Sequence, residues 1–265
     1  MRTPIYLVLL AAGGLAASAP ITACASASAG LGSPAVVDSA RWVDLVRVSI
    51  DRAVLAGSAD SLASAGALAE RALSARPNDA LLQHYLGYAR YREASLRQGP
   101  AVRPLLDAAI RDLEASVRRL PLPESHALLA RMYARLSGQE PTRAAELGEK
   151  AGEARAAALA EGENNPRVWL LLGSAAVYVP AQYGGGLDVA ETSLARALVL
   201  FATDRPAAGR PAWGHAEAHA WTGEVSRRRG NGAQARASFT EALRLAPGYA
   251  WVQNTLIPSL APSQR

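Results

Sequence analysis

The sequence predicts an all-α protein whose helices pack in successive pairs. From Asp38 onward, apolar residues recur every three to four positions, which is the spacing of amphipathic helices and not the alternation of strands. Glycine and proline interrupt this pattern at intervals, as turns between helices require. A chain of 265 residues with 50% apolar types has the length and composition to build a core.

The charge pattern argues against nucleic acid as a partner. The net charge is +5, and Lys150 is the only lysine among 28 basic residues. Basic and acidic residues alternate along the chain and do not form the basic blocks typical of nucleic-acid binding.

The N-terminus is predicted to be an export signal. Residues 1–23 combine one basic residue, an apolar run and an exit of small residues. This run is shorter than the roughly 20 residues that a bilayer span needs. The residues that follow, Ile21-Thr22-Ala23-Cys24, resemble the lipobox of bacterial lipoproteins, and Cys24 is the only cysteine. We expect a periplasm-facing lipoprotein held to the membrane only by lipid on Cys24. Simple secretion and an uncleaved anchor are the alternatives.

Residues 24–38 are predicted to be a flexible tether, because this stretch is rich in serine, alanine and glycine. Residues 39–265 are predicted to form one helical domain.

The clearest repeat lies near the C-terminus. Small residues fall at Gly223, Ala235 and Ala242, where paired helices come close, Phe239 fills the gap and Pro247 ends the second helix. This pattern resembles the tetratricopeptide repeat. Earlier copies centre on Gly87, Ala130 and Gly173, preceded by a degenerate pair that begins at residue 39. The resemblance implies a helix-turn-helix repeat solenoid of about five pairs, closed by a capping helix over Tyr249–Leu260.

The spacing departs from the standard repeat. Gly87, Ala130, Gly173 and Gly223 lie 43, 43 and 50 residues apart, against about 34 in the family. The extra residues are assigned to Ser95–Pro104, Ala151–Glu163, Pro180–Gly186 and Arg205–Trp213, and we expect them to distort the superhelix.

The resemblance also implies a binding module that grips a peptide or protein on its concave face. Arg92, Arg135 and Arg228 occupy the same position, here called a rung, in three repeats of this predicted face. Guanidinium groups at that position suit a carboxylate-bearing or acidic partner segment. The alternative is that these arginines form only a solvated surface. The predicted contact residues are Tyr88, Tyr91, Arg92, Arg131, Arg135, Tyr178, Arg227 and Arg228.

No motif predicts catalysis, a metal site or a cofactor. His215 and His219 share a helical face, but they supply only two ligands, and a metal hydrolase would need a third. The glycine-rich loop Pro180–Gly186 lacks the lysine and hydroxyl residue of a phosphate loop.

Two functions compete at this level. The first is a non-enzymatic interaction scaffold of the bacterial cell envelope. The second is an accessory tetratricopeptide-type subunit of a periplasmic solute-uptake system. An open basic groove favours the first, and a deep, internally lined cavity favours the second.

Overall fold

The computed structural model describes residues 34–260, with side chains from residue 40. Ten α-helices follow one another in this part of the chain, and they form five antiparallel pairs. The predicted export signal and Cys24 lie outside the described residues. The helices are α1 (Pro34–Ala56), α2 (Ala59–Ala75), α3 (Ala80–Leu96), α4 (Val102–Val117), α5 (Pro123–Ser137), α6 (Ala144–Gly162), α7 (Pro166–Ala176), α8 (Leu187–Phe201), α9 (His215–Arg228) and α10 (Gly232–Leu245).

Two boundaries differ from the sequence prediction. The first helix begins at Pro34, so the end of the segment predicted as a tether is helical. Ala151–Glu163, assigned as extra residues, is almost entirely part of α6. None of the helices in the described range combines the length and the apolar character that a bilayer crossing needs.

Polar residues define where several helices begin. The Asp79 carboxylate accepts hydrogen bonds from the amides of Leu81 and Leu82, and Asn165 accepts one from the amide of Arg167. Such caps satisfy amides that have no partner inside the helix, and each contributes about 1 kcal/mol.

Small residues set the distance within each pair, as the repeat pattern predicts. A β-carbon at Gly87 would lie 2.6 Å from Leu113 Cγ of α4, and one at Gly173 would lie 2.9 Å from Leu194 Cγ of α8. A β-carbon at Gly223 would overlap the ring of Phe239. The observed pairing therefore confirms the predicted all-α repeat solenoid and its register.

Gly173→Leu should lower the free energy of unfolding by about 1–3 kcal/mol, because the added side chain overpacks the α7–α8 contact. Thermal or urea unfolding measures this effect. Gly152→Leu is the matched control, since nothing lies within 4 Å of a β-carbon at this exposed position of α6. Equal loss of stability in the two variants would contradict the close contact at Gly173.

The last residues form a short helical cap. Val252–Leu256 is a π-helical segment, and Pro258–Leu260 is a 3₁₀ turn. Val252 and Leu256 are buried with Phe239 in a cluster that covers the end of the array. The predicted capping segment is thus present, but it is shorter and more irregular than the predicted helix.

The array turns back on itself, so that its two ends meet. Leu55 at the end of α1 packs against the C-terminal cluster, and a β-carbon at Gly57 would lie 3.5 Å from Ala250 Cβ. The segment 202–214 between α8 and α9 runs along the inner side, where a β-carbon at Gly209 would lie 3.3 Å from Val43 Cγ1 of α1. The expected distortion of the superhelix therefore closes the array into a ring.

Candidate functional site

The inner face of the array is filled by its own chain. The Tyr85 hydroxyl donates a hydrogen bond to the Gly209 carbonyl at 3.0 Å, and the Tyr88 ring stacks on Trp213 with 4.7 Å between centroids. Tyr88 and Tyr91 are both buried. The prediction that these two tyrosines contact a partner is therefore wrong for this conformation, because segment 202–214 occupies the space in front of α3.

Arg92 is engaged across the closed ring. Its Nη1 donates to both carboxylate oxygens of Glu217 in α9, each at 2.9 Å, and its guanidinium lies 5.8 Å from the centre of the Tyr88 ring. Its side chain is only 17% exposed. Arg92 thus joins the second helix pair to the fifth and is not available to a partner, which corrects the prediction.

The other predicted arginines of the inner face do not form a strip with Arg92. Arg131 donates to Ser174 Oγ at 2.7 Å and links neighbouring helix pairs. Arg135 lines a shallow surface cleft beside Arg97 and Arg103. Arg92, Arg135 and Arg228, predicted to share one rung, therefore lie in three separate environments.

Three predicted residues do meet at the surface. Tyr178, just after α7, is 61% exposed. The guanidinium of Arg228, in the last turn of α9, lies 4.8 Å from the centre of the Tyr178 ring. Arg227 precedes it, and both arginines donate through Nε to Glu224 at 2.7 Å. We call Tyr178, Glu224, Arg227 and Arg228 the Tyr178 cluster.

The electrostatics of this cluster leave a positive surface. Burial opposes ionisation of Glu224, but the hydrogen bonds from Arg227 and Arg228 outweigh it and lower the pKa of that carboxyl. One carboxylate therefore neutralises one of two guanidinium groups, and an arginine has five N–H donors to share. The cluster can bind a carboxylate beside an aromatic ring.

A row of aromatic rings supports Tyr178 from below. Tyr178 meets Trp221 edge-on at 6.0 Å, and Trp221 lies 4.9 Å from Trp251 of the C-terminal cap. Trp221 is buried, whereas Tyr178 is not. The exposed ring is therefore the outer end of a rigid aromatic column.

The buried His84 and the half-buried Asp51 are expected to give opposing pH dependence. Burial lowers the pKa of His84 from 6.5 to about 3, which destabilises the fold as pH falls below 6.5. Burial raises the pKa of Asp51 from 3.8 to about 6, against the attraction of Arg47, so its contribution to stability is lost as pH rises from about 4 to about 6. Titration of His84 changes the free energy of unfolding by up to about 1.4 kcal/mol per pH unit. The change from Asp51 is smaller than this limit, because its side chain is 29% exposed and solvent screens its charge.

Asp51→Asn should therefore make the protein lose stability more steeply between pH 6 and pH 4 than the wild type does. His84→Gln should do the reverse. Urea unfolding at pH 4, 5 and 6 tests both variants, and unchanged slopes in both would contradict the two shifts.

The histidine pair lies in a packed environment. The rings of His215 and His219 stack at 5.5 Å, and His215 also stacks on Phe201 at 5.1 Å. Burial lowers the pKa of both histidines. Between residues 34 and 260, no group of three histidine, cysteine or acidic side chains is placed to hold a metal ion.

Comparison with solved structures places the fold. No family model and no curated protein sequence matches the chain. The structure is similar to TTC0263, a tetratricopeptide-repeat protein of Thermus thermophilus, with a TM-score of 0.57 and 21% identity over 82% of this chain and 98% of that one. It is also similar to the HusA haemophore of Porphyromonas gingivalis, with a TM-score of 0.56 and 22% identity over 75% of this chain and 96% of that one. The chain has the tetratricopeptide-repeat fold, as the sequence motifs indicate.

Proposed function

We propose that this protein is a non-enzymatic interaction scaffold of the bacterial cell envelope and that the Tyr178 cluster is its contact surface. The observation that carries this proposal is the exposed Tyr178 ring beneath the Arg228 guanidinium. Tyrosine and arginine are the residue types in which binding energy concentrates at protein interfaces. The repeat fold supports the same function, since its stacked pairs present extended surfaces to partners.

The partner is expected to be a protein segment with a carboxylate, either in an acidic side chain or at its C-terminus. The spare positive charge of Arg227 and Arg228 attracts such a group, and the Tyr178 ring offers apolar contact beside it. Because these charges are solvent-accessible, binding should weaken as salt rises, with screening over about 10 Å at 0.1 M. This surface keeps Tyr178, Arg227 and Arg228 from the contact residues predicted from the sequence. It does not include Tyr88, Tyr91 and Arg92, which are engaged within the fold.

A matched set of variants tests the surface. The purified chain is immobilised, and proteins retained from an envelope extract are compared between the wild type and the variant Tyr178→Ala with Arg228→Gln. We expect the variant to lose a protein that the wild type retains at low salt, with an affinity reduced about tenfold or more. Arg236→Gln is the control, since Arg236 is an exposed arginine of α10 outside the cluster. Equal retention by all three proteins would overturn the proposal.

The cell-envelope location rests on the lipobox-like sequence Ile21-Thr22-Ala23-Cys24. We expect the chain to incorporate labelled palmitate and to partition into detergent, since one acyl chain is marginal and two or more hold a protein to a membrane. Cys24→Ala should abolish both. Equal labelling of the variant would leave secretion without a lipid anchor.

A specific observation favours the second candidate function, an accessory subunit of solute uptake. A cleft of about 480 Å³ opens where segment 202–214 meets α5 and α6. The similar Porphyromonas gingivalis structure is called a haemophore. The residues lining the cleft include no histidine, cysteine, methionine or tyrosine, so they do not provide the axial ligands that haem iron prefers. The cleft therefore favours a small solute other than haem.

A further inference from the structure

The cleft has a charged and apolar lining that the Tyr178 cluster does not share. Its floor and walls come from the start of α5, the end of α6, the start of α7 and segment 202–214. The Pro123, Pro206 and Pro211 rings provide apolar wall, and the charged residues are Glu124, Glu161, Glu163, Arg167, Asp204 and Arg210.

A buried carboxylate lines the floor. Glu124, in the first turn of α5, is 4% exposed and accepts one hydrogen bond, from Asn165 Nδ2 to its Oε1 at 2.7 Å. Asn165 is held in place because it also caps α7. Glu124 has no ion pair with any residue between 40 and 260. A buried carboxylate without a cation is costly, and an arriving cation relieves that cost.

An arginine without a carboxylate lines the same cleft. Arg210 forms no ion pair in the described part of the chain, although Glu124 shares the cleft with it. The neighbouring Arg167 differs, because it is paired with Asp204. The Nε of Arg167 nevertheless has no hydrogen-bond acceptor among the described residues. Two opposite charges thus face one space without reaching each other.

We propose that this cleft binds a free amino acid with a cationic side chain, such as lysine. The α-ammonium group pairs with Glu124 on the floor, and the α-carboxylate pairs with Arg210. The aliphatic stem lies on the proline-lined wall, and the side-chain ammonium reaches the exposed Glu161 and Glu163 at the mouth. This inference is independent of the Tyr178 cluster.

The overall charge of the lining selects this class over other amino acids. Once Arg167 and Asp204 neutralise each other, three carboxylates face one guanidinium in a protein whose net charge is +5. A zwitterion satisfies Glu124 and Arg210 and leaves two acids at the mouth for a further cation. An acidic side chain would meet Glu161 and Glu163 and be repelled. The 480 Å³ volume is in the range of small-molecule sites.

Isothermal titration calorimetry of the full chain with L-lysine, L-glutamate and 1,5-diaminopentane tests the proposal. We expect lysine to bind, glutamate to bind at least about tenfold more weakly, and diaminopentane, which lacks the carboxylate, to bind more weakly than lysine. We take a dissociation constant of roughly 10 mM as the weakest affinity of a specific site. Absence of lysine binding up to that concentration would overturn the proposal. Equal binding of lysine and diaminopentane would overturn the role of Arg210.

Conservative variants separate binding from folding. Glu124→Gln keeps the acceptor for Asn165 and removes the buried charge, so we expect an unfolding midpoint at least as high as that of the wild type and a lysine affinity reduced about tenfold or more. Arg210→Gln should weaken lysine binding but not diaminopentane binding, and Arg210→Lys should restore part of the lysine affinity. Glu149→Gln, on α6 away from the cleft lining, is the control. Unchanged lysine affinity in Glu124→Gln would overturn the assignment.

Discussion

Arg92→Met should lower the free energy of unfolding by about 3 kcal/mol, one of the two largest losses we expect. The substitution removes the cation that faces Glu217 and leaves a carboxylate only 16% exposed without its partner. Methionine keeps most of the side-chain volume, so the loss reports charge and not a cavity. Urea denaturation at pH 7 measures it.

Two controls separate this pair from ordinary surface pairs. Arg244→Met, in the fifth helix pair, removes an exposed arginine that pairs with the exposed Glu241 at 2.7 Å. It should cost only a small part of that loss, because solvent screens the pair. The double variant Arg92→Met with Glu217→Gln should recover part of the loss, because no unpaired charge remains. Equal effects of Arg92→Met and Arg244→Met would contradict the view that the Arg92–Glu217 pair closes the ring.

The sequence could predict the helices and their pairing because those depend on local pattern. Apolar residues at helical spacing, a cap such as Asp79 and a small residue such as Gly173 all act within about one helix pair. Their positions in the structure agree with the repeat register. Closure of the ring could not be predicted in this way, since Arg92 and Glu217 lie 125 residues apart.

Segment 202–214 shows what the repeat pattern leaves out. It has no helical periodicity, and from the sequence Arg205–Trp213 counts only as extra length. In the structure, Gly209 and Gly214 take positive φ, and Trp213 is buried against Tyr88. An isolated tryptophan in a segment rich in proline and glycine was the available indication that this loop packs inward.

The candidate surface was predicted in part. Glu224 pairs with Arg228 at a separation of four residues, and the sequence can indicate such a pair because it is local in a helix. The contact of Arg228 with Tyr178 joins α9 to the end of α7 and needs the relative position of two helix pairs. The cleft around Glu124 was not predicted, since its residues come from four separate parts of the chain.

Truncation after Pro247 should remove most of the protein's stability. It deletes Tyr249, Val252 and Leu256, all buried against the last helix pair. Each such side chain contributes about 1.5–3 kcal/mol on burial, so the loss is comparable to the roughly 5–15 kcal/mol that holds a domain folded. We expect increased binding of a hydrophobic dye and aggregation on size-exclusion chromatography.

Truncation after Leu260 is the matched control, because it leaves the cap intact and should unfold like the full chain. The position of the damage then distinguishes a closed ring from an open array. In an open array with nearest-neighbour stability, loss of the cap would loosen only α9 and α10. In the closed structure, the end of α1 also loses neighbours, because Leu55 packs against the cluster that contains Tyr249, Val252 and Leu256, and Ala250 lies next to Gly57. Hydrogen exchange of the shortened protein should therefore increase in α1 as well as in α9 and α10, and normal protection of α1 would show that the two ends do not support each other.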